Sequence, residues 1–158
     1  MGAGKSTVGP VLAQRLGWRF IDFDAEIERR AGATVPEIFR TLGERGFRAI
    51  EAELTRELSS VSDAVLAPGG GWAARPGAFD ALPAGTITVW LRIDVDTAVQ
   101  RALASGVQRP LLEVEDPLEA ARALLAVREP FYAKATHVVD AGMTPERVAE
   151  EILKLIGT

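Results

Sequence analysis

The sequence predicts an α/β domain organised around a parallel sheet. Short runs that are mostly apolar, as strands buried in a parallel sheet tend to be, alternate with longer stretches of helical periodicity. Strand followed by helix, repeated, is the pattern of a parallel sheet with helices packed on it. No internal repeat and no low-complexity linker interrupts the 158 residues, so a single domain over 1–158 is expected.

Taken in order, a helix is expected over 8–16, directly after a Gly-rich opening. Pro10 falls inside it, lacks the N–H that would bond the carbonyl of Ser6, and predicts a local bend. The first strand is expected at 18–21, followed by a nearly all-helical insert over about 25–60 with helices at 26–31, 35–42 and 44–59. Strands at 64–67 and 86–91 come next, then a helix at 96–104 that starts at Asp96 as its cap. A helix at 117–132, a strand at 136–139 and a helix at 144–156 complete the order. Thr144 offers a capping oxygen to the last helix, and Pro145 suits its first turn. Between 104 and 116 lies a polar, helix-poor stretch containing Arg109 and Pro110, the kind of loop from which lids are made.

Composition narrows the chemistry. Cysteine is absent and His137, inside an expected strand, is the only histidine and is read as structural. A disulfide scaffold, a thiol nucleophile, a Cys/His zinc site and a Ser-His-Asp triad are therefore excluded. The 22 acidic residues outnumber the 18 basic ones, for a net charge of −4, which argues against a nucleic-acid partner. Converging arginines can still make a local positive cleft for a small anion. No apolar run approaches the roughly 18 to 20 residues of a membrane helix, and the opening residues lack a signal-peptide layout. A cytoplasmic monomer with no membrane partner is the expectation.

The residues suited to chemistry lie in four groups. Gly2-Ala3-Gly4-Lys5-Ser6-Thr7 is the second half of the pattern G-x-x-x-x-G-K-[ST]. In that pattern backbone N–H groups surround phosphates, the lysine reaches the outer phosphates, and the hydroxyl ligates Mg²⁺. Asp22 and Asp24 follow the first strand, where alternation sends both to one side. One carboxylate suits hydrated Mg²⁺ and the other suits accepting a proton from an attacking hydroxyl; alternatively, Asp24 caps a helix starting at Ala25. Pro68-Gly69-Gly70-Gly71-Trp72 follows the strand at 64–67, either as backbone that approaches a ligand closely, with Trp72 as a wall, or as a flexible turn. Arg48, Arg109 and Arg128 carry forks that match carboxylates and phosphates; each alone reads as a surface charge, and only their joint placement makes a site.

The order Gly-x-Gly-Lys-Ser-Thr, Asp-x-Asp, Phe-Arg-x-x-Glu, Gly-Gly-Gly, Arg-Pro-Leu-Leu and Arg-x-Pro-x-Tyr, spread over nearly the whole chain, resembles the shikimate kinases. The resemblance implies a three-layer P-loop kinase fold: a central parallel sheet, flanking helices, a helical substrate-binding insert and a lid at about 104–116. It implies MgATP-dependent phosphorylation of the 3-hydroxyl of shikimate, as a step in aromatic amino acid biosynthesis. It also implies roles. Gly2, Ala3, Gly4, Lys5, Ser6 and Thr7 would bind ATP, with Lys5 on the β- and γ-phosphates, and Ser6 and Asp22 would hold Mg²⁺. Asp24 would hold the reacting hydroxyl and act as, or near, the base, and Arg109 would cover the transferring group. Arg48 and Arg128 would clamp the shikimate carboxylate, Glu51 supporting Arg48, while Gly70 and Gly71 approach the ring hydroxyls and Arg101 lies against adenine.

Some residues depart from the family pattern. Phe23 and Pro68 stand where hydroxyl-bearing or small residues are usual, and Trp72 is bulkier than its counterpart, which puts pocket width in question. The leading glycine of the phosphate pattern and the strand before it would fall ahead of Met1, so an internal or misassigned start, with the natural protein beginning roughly ten residues earlier, is expected. Two other readings stand beside the shikimate kinase: another small-molecule kinase, such as one acting on gluconate, and a catalytically silent domain that binds a small acid. The joint presence of Lys5 and Asp24 favours an enzyme over the silent domain.

Overall fold

The computed structural model describes residues 2–105 and 114–157. Among the described residues ten elements follow in order: α1 (Lys5–Leu16), β1 (Arg19–Asp22), α2 (Phe23–Ala31), α3 (Val35–Leu58), β2 (Ala64–Ala67), β3 (Val89–Arg92), α4 (Val95–Ala104), α5 (Pro117–Tyr132), β4 (His137–Asp140) and α6 (Pro145–Ile156). The architecture is the expected α/β alternation with parallel strands.

The strands form two parallel pairs. β1 runs beside β2, from Arg19 opposite Ala64 to Asp22 opposite Ala67, and β3 beside β4, from Val89 opposite His137 to Arg92 opposite Asp140. The remaining edges of β2 and β3 both border a cavity of about 730 Å³. Val8 and Leu12 of α1 and Ile152 of α6 close part of it. Among the described residues the strands thus pair two by two, all parallel.

Local chemistry explains the element ends. Thr34 and Glu37 form a reciprocal capping box at the start of α3, each satisfying an N–H that the helix itself leaves open. Asp94 caps α4 by accepting from the Thr97 N–H at 2.8 Å, so Asp96 sits in the first turn rather than at the cap. Helices 35–42 and 44–59 of the sequence reading are joined into α3 across Gly43, whose φ of 66° and ψ of −179° break the helical path. α1 runs through Pro10 from Lys5 to Leu16, and the proline is on the exposed side. His137 lies in β4, and its backbone N–H donates to the Thr88 carbonyl at 3.0 Å.

The core is in separate clusters. Phe23, Ile27, Ile38, Phe47, Leu54 and Trp72 pack together around α2 and α3, whereas Val8, Val139, Val148 and Ile152 join α1, β4 and α6. Ile27 and Leu54 are 0% and 1% exposed, and burying such a side chain contributes about 1.5–3 kcal/mol each. The first cluster anchors α2 and α3 beside the C-terminal ends of β1 and β2, and that is where the candidate site lies.

Candidate active site

The site begins at a turn from strand into helix. Asp22 ends β1 and caps α2: its Oδ1 accepts from the N–H groups of Asp24 at 3.0 Å and Ala25 at 3.4 Å. Its Oδ2 accepts from the Ser6 hydroxyl at 2.7 Å, which ties the start of α1 to the end of β1. The cap is therefore Asp22 and not Asp24, and α2 starts at Phe23 rather than at 25 or 26. Asp24 occupies the first helical turn, so strand alternation does not govern its direction.

The loop ahead of α1 is set by backbone geometry. Gly4 caps the helix with φ 83°, a left-handed conformation that other residues adopt only with strain, and its carbonyl accepts from the N–H groups of Thr7 and Val8. Gly2 lies against the Ala98 carbonyl of α4. A helix N-terminus approached by such a loop offers amides and a positive dipole end to an anion.

Asp24 is exposed, yet its pKa is raised. The protein crowding its carboxyl is the main cause and the neighbouring Asp22 carboxylate adds to it, while the charges of Lys5 and Arg48 pull the other way. A β-carbon placed on Gly69 would lie 3.4 Å from Asp24 Oδ1 and 3.3 Å from Glu51 Oε1, so the glycine loop passes between the two carboxylates.

Glu51, on α3, is fully buried. Its Oε2 accepts from Arg48 Nη1 at 2.8 Å, and its Oε1 is a buried oxygen with no hydrogen-bond partner among the described residues. Burial pushes its pKa up against the pull of Arg48. Arg48 also lies 3.5 Å from Glu44 and 5.3 Å from the centre of the Phe47 ring. A β-carbon on Gly71 would sit 2.1 Å from Arg48 Nη2, so only glycine admits the guanidinium there.

The remaining sequence candidates are placed as follows. Arg128, half-buried on α5, lines the 730 Å³ cavity together with Ala3, Lys5, Gly69 and Gly70. Arg101 donates to the carbonyls of Ala141 at 2.8 Å and Gly142 at 3.3 Å, which commits its fork to the loop after β4. Arg109, and with it most of the 104–116 stretch, lies outside the described residues. Trp72 is 6% exposed and packs edge-on against Phe79 in the core, so its bulk goes into the interior.

Two residues of the site, Tyr132 and Thr55, escape the sequence reading as functional groups. Tyr132 donates its hydroxyl to the Gly70 carbonyl at 2.6 Å. Thr55 links two neighbours: its Oγ1 accepts from the Trp72 indole N–H at 3.0 Å, and its hydroxyl donates to the Glu51 carbonyl at 2.7 Å. For Thr55 a signal is present in the chain, because Arg48, Glu51 and Thr55 are three and four apart and share a helix face.

A helix terminus suited to phosphate, a hydroxyl–carboxylate pair and an aspartate of raised pKa near a buried Arg–Glu pair are an arrangement suited to phosphoryl transfer to an anionic acceptor. The family model for shikimate kinase matches residues 1–157. The chain belongs to the shikimate kinase family. It is 45% identical over 155 residues to a shikimate kinase of Thermus thermophilus, covering 98% of this chain and 84% of the relative. A shikimate kinase of Synechococcus sp. CC9605 is 42% identical over 157 residues, with coverages of 99% and 78%. Among solved structures, the shikimate kinase of Acinetobacter baumannii in complex with shikimate superposes with a TM-score of 0.92 at 42% identity, covering 99% of this chain and 88% of that one. A gluconokinase of Sinorhizobium meliloti shares the fold at a TM-score of 0.66 and 20% identity, with coverages of 99% and 87%.

Proposed function

We propose that this chain transfers the γ-phosphoryl group of ATP to the 3-hydroxyl of shikimate, giving shikimate 3-phosphate and ADP. The observation that carries the reading is the position of Asp24. Its carboxyl feels the charges of Lys5 on the phosphate side and of Arg48 on the other, and it flanks the glycine loop opposite Glu51. A group at that junction is suited to hold a hydroxyl between a phosphate donor and a carboxylate clamp.

In this reading Asp24 accepts the proton as the hydroxyl oxygen attacks the γ-phosphorus and the bond to ADP breaks. Its raised pKa makes it a better proton acceptor than an ordinary aspartate. Gly2, Ala3, Gly4 and Thr7 frame the phosphates with backbone, and Lys5 meets the outer ones. Arg48 and Arg128 hold the shikimate carboxylate, Glu51 fixes Arg48, and Gly70 and Gly71 meet the ring. Arg101 offers its face to adenine.

The donor set near α1 fits Mg²⁺. Ser6 and Asp22 are already bonded at 2.7 Å, and no group of three His, Cys, Asp or Glu side chains forms a metal cluster among the described residues. Such an ion takes one or two protein ligands and completes its shell with phosphate oxygens and water. When bound it neutralises charge on the phosphates.

The test is ADP release from MgATP with shikimate, with gluconate, and with no acceptor. Turnover with shikimate alone is expected. Equal turnover with gluconate, or none with either from a folded chain, would overturn the assignment.

A further inference from the structure

Three consecutive glycines at 69–71 have no side chains to lock their backbone, and such a segment loses more conformational freedom on ordering than any other. Its own backbone closes one turn, the Trp72 N–H donating to the Gly69 carbonyl at 3.0 Å. Two side chains tie that turn to the rest of the molecule. At one end the Trp72 indole donates to Thr55 at 3.0 Å, which anchors the loop to α3. At the other the Tyr132 hydroxyl donates to the Gly70 carbonyl at 2.6 Å, which anchors it to α5. Tyr132 is itself steadied by its ring, 5.8 Å from that of Trp90 in β3.

We infer that Tyr132 is a positioning residue for the acceptor, acting through the Gly70–Gly71 peptide. In a trans peptide the C=O and the following N–H point in opposite directions. Fixing the Gly70 carbonyl on Tyr132 therefore turns the Gly71 N–H away from α5. Arg128 precedes Tyr132 by four residues, one turn of the same helix, so α5 carries both an arginine of the proposed clamp and the hydroxyl that orients the glycine amide. One helix, with Pro130 between the two residues, thus links the proposed carboxylate site to the proposed ring-hydroxyl site. The inference rests on the proposed function for its substrate, but its structural half does not.

Tyr132→Phe keeps the ring and its packing and removes only the hydroxyl. The loss of one neutral hydrogen bond predicts a rise of about three- to tenfold in the KM for shikimate, with the KM for ATP unchanged. A general structural defect would instead move both constants and the thermal midpoint together. Hydrogen exchange supplies a readout that does not require turnover: the Gly71 and Trp72 amides are expected to exchange about three- to tenfold faster in the variant, while those of α1 keep their rates. Unchanged loop exchange overturns the positioning role, whatever the activity. Faster exchange in a protein that shows no shikimate-dependent turnover supports the positioning role and counts against the proposed substrate. Faster exchange with an unchanged shikimate KM overturns the link to the acceptor.

Discussion

The proposed acceptor side and the proposed nucleotide side of this site are held by different means. Around the acceptor, side chains brace one another: Arg48 on buried Glu51, Thr55 on the Glu51 carbonyl, Trp72 on Thr55 and Tyr132 on Gly70. Around the phosphates, the shape comes chiefly from backbone conformation, through the left-handed Gly4 and the start of α1, joined by the side-chain bond from Ser6 to Asp22. A site braced by side chains is damaged one hydrogen bond at a time, whereas a site shaped by backbone is damaged by strain. Substitutions on the two sides should therefore separate in their kinetic signatures.

The largest expected effect straddles the two sides. Asp24→Asn should lower kcat by about 10²–10⁴-fold while leaving both KM values near their original levels. The wild-type rate should rise with pH as Asp24 deprotonates, with its midpoint above the ordinary aspartate value of 3.8, and the variant should lose that limb. Stability runs in the opposite direction. A carboxyl whose pKa is raised by folding contributes most below its unfolded value, and that contribution is lost as pH rises through the folded one. At neutral pH the Asn variant should be at least as resistant to heat as the parent, and a lowered thermal midpoint would break this account.

Next in size, Arg128→Ala should weaken shikimate binding by about 2–5 kcal/mol and leave ATP binding alone; titration of each ligand separately checks it. An equal loss for both ligands would dissolve the distinction between the sides. Thr55→Val keeps the shape but strands the buried Trp72 indole N–H, at a cost of about 1–3 kcal/mol in unfolding free energy by denaturant titration. On the other side, Gly4→Ala forces a left-handed conformation on alanine, a strain of about 1–2 kcal/mol. Its kinetic effect should fall on the KM for ATP and spare that for shikimate.

Much of this was legible in the chain because it rests on local chemistry. Alternating apolar runs and helical periodicity place nearly every element to within a few residues, and the order of motifs identifies the family. Two kinds of feature were not legible. The direction of Asp24 depends on where β1 stops, and Asp22 ends it early by capping α2 with the carboxylate that also binds Ser6. The braces on the glycine loop join residues 62 and 17 positions apart, a pairing that no local pattern reveals. Trp72 illustrates the same point: its indole N–H is fixed by a threonine 17 positions away.

The break at Gly43 resets the angular phase of α3. Successive residues of an unbroken helix advance about 100°, so Ile38 and Phe47, nine residues apart, would point to opposite faces. Both are nonetheless buried in one core cluster. The single non-helical residue between them lets the two halves choose their faces independently. The first half can turn Ile38 inward without dictating where the second half points Arg48, Glu51 and Thr55. The rotational setting of the acceptor machinery is thereby decoupled from the packing of the helix that leads into it.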